Sequence, residues 1–135
     1  MLYLFILSLI IVSGCADKKD TNLETQIIRD TTTEEAYILI QDNQDNPDFT
    51  IIDVRTPKEY ATGRITNSIN IDFYSKSFKD ELKELDKEKK YLIYCKSGNR
   101  SGKSRNIMRK LNFTEVYNML GGIVQWEADK LPKVK

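Results

Sequence analysis

Between Tyr91 and Leu111 the chain passes from an apolar run, Tyr91-Leu92-Ile93-Tyr94, into a cationic helical pattern from Ser101 onward. The link is Cys95-Lys96-Ser97-Gly98-Asn99-Arg100. A short buried strand followed at once by a helix is the unit of a parallel sheet, because parallel neighbours need a crossover. In an open α/β sheet, ligands bind beyond the carboxyl ends of the strands. A helix start leaves unpaired N–H groups and the positive end of its dipole, and both favour an anion. A thiolate is such an anion. Gly98 allows positive φ, which turns the loop's N–H groups inward. Cys95 is therefore read as a nucleophile in an anion cradle. Lys96, Ser97, Gly98, Asn99, Arg100 and Ser101 are the candidate substrate-binding residues. The opposing reading, an inert buried thiol, fits poorly with polar neighbours.

The rest of the chain repeats this alternation. Thr31-Thr32-Thr33 before Glu34-Glu35 carries a helix-start signature with capping-box spacing, and that helix is expected to run to about Gln41. Asp42 to Asp48 reads as loop. Phe49 to Val54 is short, β-branched and apolar, the pattern of a buried strand. Pro57 to Tyr60 suits the first turn of a helix that Gly63 ends. Ser68 to Ile71 and Val116 to Met119 are further strands. Ser77 to Leu85 and Ile123 to Asp129 are further helices. Gly121-Gly122 is a tight turn. Strands alternating with helices imply a parallel sheet covered on both faces.

The chain's 135 residues suffice for one domain with a core and are too few for two. The net charge of +1 gives no argument for a nucleic-acid partner, and none is expected. Its distribution is more telling. From Cys95 to Lys110 the charged residues are Lys96, Arg100, Lys103, Arg105, Arg109 and Lys110, with no acid among them. That field attracts a small anion, although Arg105, Arg109 and Lys110 equally suit a solvated helix face. The absence of histidine excludes a Cys–His dyad, a Ser–His–Asp triad and histidine metal ligands. No metal or organic cofactor is expected. The cysteines are Cys15 and Cys95, so one internal disulfide is the most the chain can form.

Leu2 to Val12 is almost continuously apolar. At about eleven residues it is too short to span a bilayer, which takes roughly 17–25, and it has the length of a signal-peptide hydrophobic region. It closes on Val12-Ser13-Gly14-Cys15, which resembles the lipobox of bacterial lipoproteins. That resemblance implies cleavage before Cys15, acylation of Cys15, and a lipid-anchored, extracytoplasmic place at the bacterial cell envelope. The region before Cys15 departs from the pattern in carrying no Lys or Arg. Ala16 to Gln26 has no apolar periodicity and reads as a tether. The expected organisation is a signal peptide over 1–14, a lipidated cysteine and tether over 15–26, and a folded domain over 27–135.

Four stretches in order resemble a known family. They are Asp53-Val54-Arg55 with Glu59-Tyr60; Gly63-Arg64-Ile65 with Ser68-Ile69-Asn70-Ile71; Cys95 to Arg100; and Leu120-Gly121-Gly122-Ile123 with Trp126. Together they are similar to the signatures of rhodanese-family sulfurtransferases, over about Ile27 to Pro132. Arg64 stands where that family often has His, and Ser68 where it often has Ala. The resemblance implies a rhodanese-like α/β fold of three layers, with a central, mostly parallel sheet of about five strands and helices on both faces. It also implies that Cys95 takes sulfur from a small anionic donor such as thiosulfate. The resulting persulfide passes its sulfur to cyanide, a thiol or a protein acceptor. Asp53 and Arg55 lie near the active loop in that family. The residues themselves favour a supporting role for both, as a strand-end cap and an ion pair. Trp126 reads as core.

Two rival functions remain at this stage. A non-turnover sulfur-carrier or protein-binding module at the envelope needs the same Cys95. A phosphatase is disfavoured, because relatives of the fold that act on phosphate-like groups have a loop one residue longer between Cys and Arg.

Overall fold

The computed structural model describes residues 25–135. The expected signal peptide, Cys15 and most of the tether lie outside them. Ten elements follow in order: β1 (Ile27–Thr31), α1 (Thr33–Asp42), β2 (Phe49–Asp53), α2 (Pro57–Thr62), β3 (Ile69–Asn70), α3 (Phe78–Lys83), β4 (Lys90–Tyr94), α4 (Asn99–Lys110), β5 (Glu115–Met119) and α5 (Gly122–Ala128). The strands form one sheet in the order β1-β5-β4-β2-β3. Every ladder is parallel. The antiparallel exception is an isolated bridge between Arg64 and Val134.

β4 lies at the centre of the sheet because its residues are apolar toward both faces. Tyr91, Leu92, Ile93 and Tyr94 are all buried. Alternation along the strand sends them to different sides. Tyr91 and Ile93 join a core with Val54, Phe78, Leu82, Met108 and Phe113 beneath α3 and α4. Leu92 and Tyr94 join a second core with Ala36, Ile123 and Trp126 beneath α1 and α5. Two cores sharing one sheet make the three-layer α/β architecture. Trp126 is 1% exposed, and its indole N–H donates to the Pro132 carbonyl, so it packs α5 and anchors the chain end.

Local signals account for the helix starts. Thr32 caps α1 and Thr56 caps α2, each with a reciprocal capping box closed by Glu35 and Glu59. β1 escaped the apolar pattern because four of its five residues are half-buried or exposed. It is an edge strand held by its ladder to β5. Gln26 stands just before it, and its side-chain amide donates to the Phe113 carbonyl at 2.9 Å. The helix after Cys95 starts at Asn99, earlier than the expected Ser101, which brings Asn99 and Arg100 into its first turn.

The cationic helix is not a free basic face. Arg105 pairs with Asp30, and Arg109 donates to the Ile28 carbonyl at 3.1 Å. Both side chains tie α4 to β1.

Candidate active site

Cys95 follows the last residue of β4, and its residue is 1% exposed. α4 begins with Gly98 at its N-cap position, at φ 100°, with no side chain capping the helix. The cysteine sulfur takes that place. The Gly98 N–H donates to Cys95 Sγ at 3.1 Å, and Ser101 Oγ–H donates to it at 3.3 Å. Burial alone pushes the Cys95 thiol up. The Ser101 hydroxyl and the N–H groups of Ser101, Gly98 and Ser97 outweigh it, so the thiol is held below its ordinary value. The hydrogen bonds that do this come from the loop and helix start, and not from the side chain of Lys96.

The loop is also held by α5. The N–H groups of Ile123 and Val124, in the first turn of α5, donate to the carbonyls of Cys95 and Lys96 at 2.9 and 3.2 Å. Gly122 makes that approach possible. It sits at φ 58°, and a Cβ there would lie 2.4 Å from the Lys96 carbonyl oxygen and 2.5 Å from that of Cys95. Gly121-Gly122 is therefore more than the expected tight turn: it lets α5 clamp the cysteine loop.

Arg100 is paired with a carboxylate. Its guanidinium makes two 2.8 Å bonds to the Glu59 carboxylate, one to each oxygen, and lies 5.5 Å from the Tyr74 ring centroid. That pairing, against a smaller cost of burial, holds the Glu59 carboxyl down to about 2. Glu59 also accepts from the Thr56 N–H at 3.0 Å. One carboxylate thus closes a helix cap and fixes the arginine of the loop. Sequence reading did not single out Glu59 or Tyr74 as part of the site. The Thr56–Glu59 capping box is local, but the contact of Glu59 with Arg100 joins residues 41 positions apart.

The other candidates separate cleanly. The side chains of Lys96, Ser97 and Asn99 are exposed at the mouth of the loop. Asp53 and Arg55 are buried and paired with each other at 2.7 Å. Asp53 Oδ1 accepts from the Arg55 N–H at 2.9 Å, and Arg55 Nη2 donates to the Gly63 carbonyl at 2.6 Å. Arg55 also lies 5.7 Å from the Tyr94 ring, beneath the loop. Neither touches Cys95. Arg64 lies over the Tyr60 ring at 4.6 Å. Ser68 is buried, donates to the Ile65 carbonyl at 2.7 Å and lies 3.3 Å from the Tyr94 hydroxyl. Both departures from the family pattern are thus absorbed by local contacts. Among the described residues no cluster of His, Cys, Asp and Glu forms a metal site.

These features define an α/β domain with a buried cysteine at the end of its central strand, its sulfur accepting from backbone N–H groups and a hydroxyl. The chain belongs to the rhodanese-like domain family, whose pattern matches residues 18–129. It is 31% identical over 90 residues to a protein of Allochromatium vinosum named sulfurtransferase, covering 67% of this chain and 82% of that one. It is 35% identical over 90 residues to the tRNA uridine(34) hydroxylase of Cytophaga hutchinsonii, covering 64% of this chain and spanning only 29% of that protein's length. Among solved structures, a rhodanese-related protein from Thermoplasma volcanium superposes with a TM-score of 0.67 at 32% identity, covering 78% of this chain and 97% of that one.

Proposed function

We propose that this chain is a sulfurtransferase that carries sulfane sulfur on Cys95. The observation that carries the reading is the Cys95 sulfur itself. It is buried, lowered in pKa, and held by the Gly98 N–H and the Ser101 hydroxyl. The Cys95 thiolate attacks the outer sulfur of thiosulfate or a related small anionic donor. The donor's S–S bond breaks, sulfite leaves with its electron pair, and a Cys95 persulfide remains. Cyanide or a thiol then attacks the outer sulfur, and Cys95 leaves as a thiolate. This is two-step covalent catalysis with ping-pong kinetics.

The cradle that lowers the thiol pKa suits both the nucleophile and the leaving group of these steps. The Glu59 carboxylate neutralises much of the charge of Arg100. Lys96 is thus the cation best placed to attract the donor, and Arg100 acts mainly by shaping the loop. The relative named sulfurtransferase, matched over most of its length, supports this reading. At the envelope, the resemblance of Val12-Ser13-Gly14-Cys15 to a lipobox supports a lipid anchor on Cys15.

Intact mass of the chain before and after thiosulfate tests the chemistry. The expected result is a gain of one sulfur atom, removed by cyanide or a thiol and absent in Cys95→Ser. No gain on a demonstrably free Cys95 thiol excludes thiosulfate as donor and favours the carrier module. The same measurement on protein extracted from membranes reads the anchor: the chain is expected to start at Cys15 and to carry acyl mass.

A further inference from the structure

The loop that holds the Cys95 sulfur is bordered by exposed apolar side chains on separate elements. Tyr74, after β3, is 67% exposed, and its ring lies against Arg100. Leu120, after β5, is 47% exposed, and its Cα lies 3.7 Å from where a Cβ on Gly98 would sit. Val124, in α5, is 51% exposed, and its N–H donates to the Lys96 carbonyl. Each therefore flanks a different residue of one short loop. Scattered exposed apolar residues are ordinary, but a cluster around a reactive centre marks a binding surface. Aromatic and large apolar side chains are also the groups that anchor protein contacts.

From Cys95 to Lys110 the loop and the helix after it carry cations and no acid. Arg100 and Arg105 are matched by Glu59 and Asp30. Among the described residues Lys96, in the loop, and Lys103, one helical turn beyond Asn99, are exposed and enter no ion pair. An acceptor approaching the buried sulfur thus meets apolar contacts and uncompensated lysines. A small thiol has neither the length to touch Tyr74, Leu120 and Val124 together nor a use for them.

Resting on the sulfurtransferase reading, we propose that the acceptor is a cysteine on a protein segment with apolar and acidic residues beside it, docked on Tyr74, Leu120 and Val124 and steered by Lys96 and Lys103. The acceptor thiolate attacks the outer sulfur of Cys95–S–SH. A new S–S bond forms on the acceptor, the persulfide bond breaks, and Cys95 departs as the thiolate, already stabilised by Gly98 and Ser101. The proton stays on the transferred sulfur, and no external oxidant or reductant enters.

The test loads the full chain with inorganic polysulfide, so that donor specificity plays no part. Transfer is then followed by mass to three acceptors: a twelve-residue peptide with Leu and Phe flanking one Cys and four Glu, the same peptide with Lys for Glu, and free cysteine. The acidic peptide is expected to accept sulfur about tenfold faster than free cysteine at low salt, and faster than the Lys peptide. Salt is expected to narrow the gap between the two peptides. The double variant Leu120→Ser, Val124→Ser is expected to load normally, to keep its rate with free cysteine, and to lose most of the peptide advantage. Lys96→Glu is expected to favour the Lys peptide. Equal rates for all three acceptors, or an advantage that survives the double variant, overturn the docking surface and leave the sulfurtransferase reading intact. Failure of polysulfide to load a free Cys95 overturns both.

Discussion

Two arginine–carboxylate pairs of this fold do different work. Asp53–Arg55 joins residues two apart at the end of β2, with side chains 0% and 5% exposed. Glu59–Arg100 joins α2 to the first turn of α4, with side chains 31% and 15% exposed. The first is sealed in protein and ties β2 to the Gly63 carbonyl. The second sits at the rim, where water reaches the carboxylate, and sets the course of the cysteine loop. Both arginines are thus met by a carboxylate, one inside the scaffold and one at the rim. Arg55 is held by Asp53 and the Gly63 carbonyl, and Arg100 by Glu59 of α2.

The sharpest way to break the comparison is to remove one partner of the sealed pair. Asp53→Ala leaves the Arg55 guanidinium buried without its counter-charge, which typically costs about 3–5 kcal/mol. It also removes the acceptor for the Arg55 N–H. Urea unfolding is expected to show a loss of that size. A loss under about 1 kcal/mol overturns the view that this pair is a sealed structural element.

A change at the sulfur separates chemistry from scaffold. Ser101→Ala removes the hydroxyl that donates to Cys95 Sγ and leaves the backbone donors in place. Ser101 is fully buried, but the substitution removes only one oxygen, so the fold is expected to hold. The pH profile of thiol alkylation should move to higher pH, and persulfide formation near neutral pH should slow by about tenfold, since a hydrogen bond to a charged group contributes about 1.5–3 kcal/mol. An unchanged alkylation profile means that the backbone N–H groups alone set the thiolate.

Much of this was legible in the chain. Leu92-Ile93 and Ile51-Ile52 announced buried central strands, because a strand covered on both faces is apolar at successive positions. The place of Cys95 between β4 and α4 was legible because a strand end and a helix start met at it. β1 was not, since an edge strand with one fully buried residue carries no apolar period and is defined by its partner. The early start of α4 was hidden for a similar reason. Gly98 stands at its N-cap with no side chain to signal it, and Asn99 and Arg100 add no apolar signal. Gly121-Gly122 was visible as a turn, yet nothing local says that a Cβ at Gly122 would meet the carbonyl of Cys95. The pairing of Glu59 with Arg100 is a product of the topology, which sets α2 beside the start of α4. Motif spacing reads local geometry well and contacts between distant segments poorly.

The smallest expected effect sharpens the comparison most. Glu59→Gln keeps the size of the side chain and an acceptor for the Thr56 N–H, and removes the charge facing Arg100. Because water reaches this pair, its loss should cost only about 1 kcal/mol, far less than the loss of Asp53. The pH dependence identifies the source. The Glu59 carboxyl is held at about 2 in the folded chain, against an ordinary value of 4.5. Its contribution to stability is therefore complete above about pH 4.5 and is lost as pH falls toward about 2, where the folded state also takes up the proton. Stability measured from pH 6 down to pH 2 should fall more steeply in the natural chain than in Glu59→Gln, and the two curves should converge at the acid end. Parallel curves would mean that the carboxylate contributes no charge-dependent stability. Arg100 would then be positioned by its place in α4 and by Tyr74, and the difference between the rim pair and the sealed pair would be one of packing, not charge.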